Sequence, residues 1–343
     1  MLAKNQSNIK NNIFCWIERE LEPVACTSEE FIYNEMESQS GYSLPVIYQA
    51  FDASVRWHWS ERGSLYDFLY SVNGEGKKLL DFGPGDGWPS LIVAPFAEEV
   101  IGVDSSGKRV EICTENAGRM GIRNAKFVSY RSGTRLPFED NSFDGIMAAS
   151  SVEQTPDPKK TLSELYRVLR PGGRLRISYE SLNAYRDGHE NDIWITGLNE
   201  STCKMILYIR DPENEYALQY GLTIAMPVKE LAGRLSDNGE ATFSQVSVSL
   251  LEEIKGMISK AQVCKTIHPS GKTLVSWMKE IGFKEVLPTY SGSMAAAKLF
   301  DQYKDEDRPA DLGSADEAIK KVVKIVTVLA APIDLDPMIT AVK

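Results

Sequence analysis

No run of about twenty apolar residues occurs anywhere in the 343-residue sequence, which excludes a membrane-spanning helix. Residues 1–12 are polar and lack the apolar stretch of a secretory leader, so the protein is expected in the cytoplasm. Cysteine is sparse: Cys15, Cys26, Cys113, Cys203 and Cys264 stand apart, with no C-x-x-C pair of the kind that zinc and redox motifs need. Such isolated cysteines are expected as small buried hydrophobes, with a substrate-binding thiol at Cys15 or Cys26 as the functional alternative. Histidine occurs three times, at His58, His189 and His268, and no tight His/Asp/Glu cluster suggests a metal that aligns a substrate. Basic residues are outnumbered, 38 to 48, and the resulting net charge of −10 argues against broad contact with nucleic-acid phosphates. Internal repeats and low-complexity runs are missing as well.

What is present is the composition of a soluble globular protein, 43% hydrophobic and 25% charged, long enough for one large domain or two ordinary ones. The chain is organised around the stretch from Leu79 to Trp88, an apolar run that ends in Asp81 and continues into Gly83, Gly85 and Gly87. Lys77 to Phe82 reads as a buried parallel strand, and the glycines allow a sharp turn and close approach to a ligand before a helix begins. A dinucleotide fingerprint wants its third glycine three residues after the second, with a diphosphate on the helix N-terminus. Here the third glycine comes after two, and Asp81 and Asp86 flank the loop, where they would repel a diphosphate. A ligand with an ammonium and a sulfonium would be attracted instead, and S-adenosylmethionine is such a ligand.

Asp81-x-Gly83-x-Gly85-x-Gly87 resembles the first motif of the class I S-adenosylmethionine-dependent methyltransferases. Arg135 to Asp144, followed by Glu164 to Gly173, is similar to the ubiquinone/menaquinone-biosynthesis branch, methyltransferase type 11. The likeness covers roughly residues 77–180 and, more weakly, 272–290 and the last seven residues. It implies an α/β fold: a Rossmann-like seven-stranded, mostly parallel sheet with helices on both faces, an N-terminal helical segment and an α+β insertion after strand five. The expected divisions are an N-terminal helical lid over 1–73, a cofactor-binding core over 74–180, an inserted cap or substrate subdomain over 181–271, and the rest of the core over 272–343. Within the insertion, Cys203 to Arg210 and Tyr216 to Met226 read as a hairpin, and Leu231 to Leu235 and Leu250 to Ala261 as short helices. An oligomer contact is the rival role for this segment. The tail from Met338 to Lys343 is expected as a last strand entering the sheet antiparallel.

The loop residues Asp81, Gly83, Pro84, Gly85, Asp86 and Gly87 are the expected cofactor contacts. Asp104, ending the second strand about twenty residues on, is placed to accept a ribose diol, with Ser105 beside it. The resemblance adds Ser132, Gly133 and Thr134 for the adenine, with Ser132 standing where similar proteins have an acid. The tip of strand four, Ala149 and Ser150, is expected to face the methionine part. Relatives often have His where Gln154 stands, so base chemistry at that position does not transfer. Aromatic faces favour a sulfonium and exclude water. Tyr48, Trp59, Tyr179 and Tyr185 are therefore candidates for the substrate pocket.

Methyl transfer is an in-line displacement at a carbon the cofactor has already activated, so a base is needed only where the nucleophile must lose a proton. His58, His189 and Glu180 are the candidate catalytic groups. The expected activity is transfer of a methyl group from S-adenosyl-L-methionine to a small or medium-sized molecule, with S-adenosylhomocysteine released. No nucleic acid or membrane span enters this expectation, and a homo-oligomer is compatible with it. Two readings of other classes remain at this point: a regulatory protein that binds the cofactor without turnover, and a nicotinamide-dependent reductase.

Overall fold

The computed structural model describes residues 2–28, 30–31, 48–179, 182, 191–236, 241–335 and 337–343. Along these residues the chain runs through α1 (Leu2–Leu21), β1 (Val24–Ala25), α2 (Arg56–Ser71), β2 (Lys78–Phe82), α3 (Ser90–Val93), β3 (Glu99–Asp104), α4 (Gly107–Arg119) and β4 (Ala125–Ser129). Next come β5 (Phe143–Ala149), α5 (Pro158–Val168), β6 (Leu169–Ser178), β7 (Asn191–Asn199), β8 (Thr202–Asp211) and β9 (Tyr216–Ile224). Then follow α6 (Val228–Arg234), α7 (Val248–Ile254), β10 (Ile258–Ile267), α8 (Gly271–Ile281), β11 (Lys284–Thr289), α9 (Gly292–Gln302), α10 (Leu312–Val326) and β12 (Met338–Val342). They form two compact units, residues 1–41 with 182–268, and residues 42–181 with 269–343.

The second of these units, the core, holds a seven-stranded sheet in the order β11-β12-β6-β5-β2-β3-β4. Strands β2 to β6 pair in parallel, and β12 enters antiparallel between β6 and β11, as the tail sequence suggests. Because both faces are covered, β2 is apolar almost throughout. Leu80 and Phe82 join Leu162, Leu165, Leu274 and Met278 from α5 and α8 on one side. Leu79 joins Leu65, Phe68, Ile319 and Val323 from α2 and α10 on the other. Side-chain caps fix the helix starts: Ser106 for α4, Asp157 for α5, Ser270 for α8 and Asp311 for α10 each accept from a backbone N–H of the first turn. A charged pair lies buried in this unit. Arg176 of β6 forks onto Asp67 of α2 at 2.7 and 2.9 Å and also donates to Thr289 and Thr340.

The other unit is built on a five-stranded sheet, β1-β10-β9-β8-β7, antiparallel except where β1 joins β10. Ile13, Trp16 and Ile17 of α1 pack on Met205, Leu207 and Leu222. Thr27 and Glu30 bond reciprocally through side chain and backbone N–H, at 3.1 and 3.4 Å, as a capping box. Residues 1–73, read from sequence as one helical segment, therefore divide: α1 belongs with the insertion and α2 with the core. The apolar stripe of α1 finds its partner some two hundred residues away, which no local pattern reveals. The hairpin expected from residues 203 to 226 is the middle of a larger sheet, and the helix expected to reach Ala261 ends at Ile254. Gly256 interrupts it, and the β-branched run through Val263, Thr266 and Ile267 continues as β10.

Candidate functional site

In the core sheet the strand order reverses between β2 and β5, and ligands of open parallel sheets sit in the crevice at the carboxyl ends of such strands. The loop from Gly83 to Gly87 leaves β2 at that point. Gly83, Gly85 and Gly87 have φ values of +73°, +60° and +112°, a region that side chains disfavour. A Cβ on Gly83 would lie 2.5 Å from the Cβ of Ser151, and one on Gly87 would lie 2.5 Å from Leu91 Cδ1. The loop is held from both sides. Gly85 N–H donates to Asp104 Oδ2 at 3.4 Å, Asn116 Nδ2 to the Asp86 carbonyl at 2.8 Å, and Ser151 Oγ to the Phe82 carbonyl at 2.6 Å.

Four carboxylates surround this loop, and burial raises the pKa of each. Asp81 is wholly buried; its Oδ2 accepts from Ser90 N–H at 2.9 Å and Ser90 Oγ at 2.6 Å, while Oδ1 has no hydrogen-bond partner. Desolvation pushes its carboxyl up to about 7, against the opposing effect of the two Ser90 bonds. Asp86 and Asp104 are also lifted by burial, with Arg109 nearby working the other way. Glu61 of α2 is lifted by burial and by Asp86, although it accepts from Trp88 Nε1 at 2.9 Å. A site so arranged disfavours a polyanion and gains from a ligand carrying positive charge. The orphaned Asp81 oxygen and the side-chain-free path of the glycine loop fit S-adenosylmethionine, whose ammonium and sulfonium are cationic.

The residues expected at the cofactor gather around this crevice. Asp104, nearly buried, accepts from Ser106 N–H at 2.9 Å as well as from Gly85. Ser105, Ala149 and Ser150 are half-buried at the strand ends, and Ser150 is turned into the left-handed region with φ of +48°. Ser132 and Gly133 are half-buried and Thr134 exposed, in a bend tied down by Lys160 Nζ on the Gly133 carbonyl at 2.7 Å. Pro84 is buried under the loop.

The candidates for acceptor chemistry are more dispersed. Tyr48 places its hydroxyl 3.6 Å from where a Gly87 Cβ would stand, and that buried oxygen has no hydrogen-bond partner. Trp59 is fully buried among Phe300 and Tyr303, its N–H donating to the Ala53 carbonyl, so it is a core residue. His58 is largely buried, and its Nδ1 accepts from the Asp52 N–H at 2.8 Å, which leaves that nitrogen committed to the loop. Tyr179 is buried with its hydroxyl against Gly271. Glu180, Tyr185 and His189 lie outside the described residues. Sequence reading passed over Ser90 and Glu61. Glu61 did leave a signal: it sits four residues before Leu65 and seven before Phe68, a carboxylate on the apolar stripe of a helix. Among the described residues no group of three or more His, Cys, Asp or Glu could hold a metal ion, and no helix is long and apolar enough to cross a membrane.

Residues 80–177 match the family described as methyltransferase domain. Over 102 residues the chain is 36% identical to the uncharacterized methyltransferase YcgJ of Bacillus subtilis, covering 29% of this chain and 39% of that one. It is 33% identical over 119 residues to the sterol 24-C-methyltransferase erg6 of Aspergillus fumigatus, 34% of this chain and 31% of that one. With the ubiquinone/menaquinone biosynthesis C-methyltransferase UbiE of Geotalea daltonii it shares 34% identity over 125 residues, 34% of this chain and 49% of that one. The chain thus spans a third to a half of the length of these curated relatives, and the likeness is concentrated in β2 to β6. Glycine loop, acidic lining and strand order agree with that match, and residues 80–177 are similar to the methyltransferase domain that these relatives share.

Proposed function

We propose that the whole chain is an S-adenosylmethionine-dependent methyltransferase acting on a small or medium-sized molecule in the cytoplasm, with S-adenosylhomocysteine as the second product. The observation that supports this most strongly is the unpartnered Oδ1 of Asp81, buried at the strand switch point in a loop region that also carries Asp86, Asp104 and Glu61. Asp81, Asp86 and the backbone of Gly83 to Gly87 would hold the amino-acid end of the cofactor, and Asp104 its ribose. When bound, the cofactor supplies a methyl carbon already activated by its sulfonium. What the chain must add is alignment and exclusion of water, worth on the order of 7 to 11 kcal/mol at best. The unit formed by 1–41 and 182–268 would recognise the acceptor, since it lies outside residues 80–177, which match the methyltransferase family. The acidic balance, net −10, favours small molecules over nucleic acid as partners.

The test is methyl transfer by the purified full-length protein, followed as S-adenosylhomocysteine released over a panel of acceptors. Release that depends on an added acceptor supports the reading. Cofactor binding without release above background across the panel would favour a regulatory binder.

A further inference from the structure

An arginine stands against the glycine loop, where the nearby acids suit a cationic ligand. Helix α4 starts at Gly107, so Lys108 and Arg109 occupy its first turn, and no acid stands there. Basic side chains are disfavoured at that end, because the backbone N–H groups already carry positive partial charge. Lys108 is exposed and pairs with Glu111 at 3.3 Å. Arg109 is half-buried, and its Nη1 lies 3.0 Å from where a Cβ on Gly85 would stand.

Two more side chains on that face of α4 grip the loop. Cys113 and Asn116 are buried and donate to the Gly85 carbonyl at 3.2 Å and the Asp86 carbonyl at 2.8 Å. Gly85 N–H donates to Asp104 Oδ2 at 3.4 Å, Ser106 N–H to Asp104 Oδ1 at 2.9 Å, and Arg109 N–H to Ser106 Oγ at 3.2 Å. The guanidinium and the Asp104 carboxylate therefore converge on one glycine, joined by a segment that hydrogen bonds hold in place. Burial favours the neutral forms of Asp86 and Asp104, and Arg109 acts on both toward the charged form. The other ionisable groups facing this pair are Asp81 of β2 and Cys113, with Glu61 of α2 and Tyr48 toward Asp86, and none of these four brings positive charge. Toward a bound sulfonium, however, the same guanidinium is a like charge.

We propose that Arg109 is a positioning residue of this crevice: it holds Asp86 and Asp104 in their charged form about the glycine loop and so sets the lower pH limit of S-adenosylmethionine binding. The inference rests on the reading of the crevice as the site of that cofactor. Support of the acids and repulsion of the sulfonium give Arg109→Met two opposed effects, read by calorimetry on the full-length protein. At pH 5.5, where the acids need the guanidinium to stay ionised, the variant should bind S-adenosylmethionine roughly three- to tenfold more weakly than the native protein. At pH 8, where they are charged without it, only the repulsion is removed, and the variant should bind at least as tightly. The two affinity curves should cross. Arg109→Lys keeps the charge and should follow the native curve, while Arg109→Gln should follow the methionine variant and replaces it in the test if that variant does not fold. Loss by the same factor at every pH would show that Arg109 only packs against the loop, and would overturn the proposal. So would unchanged affinity at pH 5.5, or a lysine variant that behaves like the methionine one. Failure of the native protein to bind S-adenosylmethionine or S-adenosylhomocysteine at any pH would instead remove the cofactor reading beneath it.

Discussion

Asp81→Asn isolates the charge that organises the cofactor crevice. The native carboxyl has its pKa raised from 3.8 to about 7 by burial. A group raised in the folded state stabilises the fold fully below its unfolded pKa and loses that contribution as pH rises through the folded one. The native protein should accordingly lose stability from about pH 4 to pH 7, by roughly 4 kcal/mol in all, and this loss should level off above pH 7. Asparagine keeps the acceptor for Ser90 and has no charge to desolvate. Its amide nitrogen, standing where Oδ1 finds no partner, adds a cost that does not vary with pH. The stability gap between variant and native protein should therefore widen in the variant's favour from pH 4 to 7, read from urea unfolding at half-unit pH steps. Cofactor affinity should move the other way: at pH 8 the variant should bind S-adenosylmethionine about ten- to a hundredfold more weakly, and the difference should shrink toward pH 5.5. Parallel stability profiles for the two proteins, or equal affinities at pH 8, would refute the assignment of that charge.

Asp104→Ala should weaken cofactor binding by about 1 to 3 kcal/mol in calorimetry; unchanged affinity would remove Asp104 from the ribose. Gly83→Ala places a methyl 2.5 Å from Ser151 Cβ at a φ of +73°. It should lower the melting temperature and abolish measurable cofactor binding, and a native-like titration would show that the loop tolerates a side chain. Arg176→Met leaves Asp67 buried without its forked partner and should cost about 3 to 5 kcal/mol in urea unfolding, with a shift below 1 kcal/mol contradicting that role.

The core was legible because its signals are local. An apolar run, an acid and spaced glycines mark β2 and its loop, and the Pro171 to Gly173 breaker marks the end of α5 within a few residues. The tail strand was legible too, although its pairing with β6, Ile339 opposite Ile177, reaches across nearly half of the chain. The inserted unit was not. Its sheet takes β1, near residue 25, as an edge strand beside β10, near residue 262, and β7 sets buried Asp192 and Ile193 next to exposed Trp194, with no regular alternation. Periodicity alone cannot distinguish such a strand from loop. At the site, Asp81 and Asp104 stood out as acids closing strands. The role of Glu61 depends on where Trp88 is carried by the fold, and His58, expected as a base, is a ring bonded to the Asp52 backbone.

The central claim, that an acid-lined glycine loop selects a cationic nucleoside over a diphosphate, is tested most directly by calorimetry at pH 8 with S-adenosylmethionine, S-adenosylhomocysteine and NADH. Saturable heat at one site with the first two and none with NADH is the predicted result. Binding of NADH in preference, or no heat with either adenosyl compound on folded protein, would contradict it.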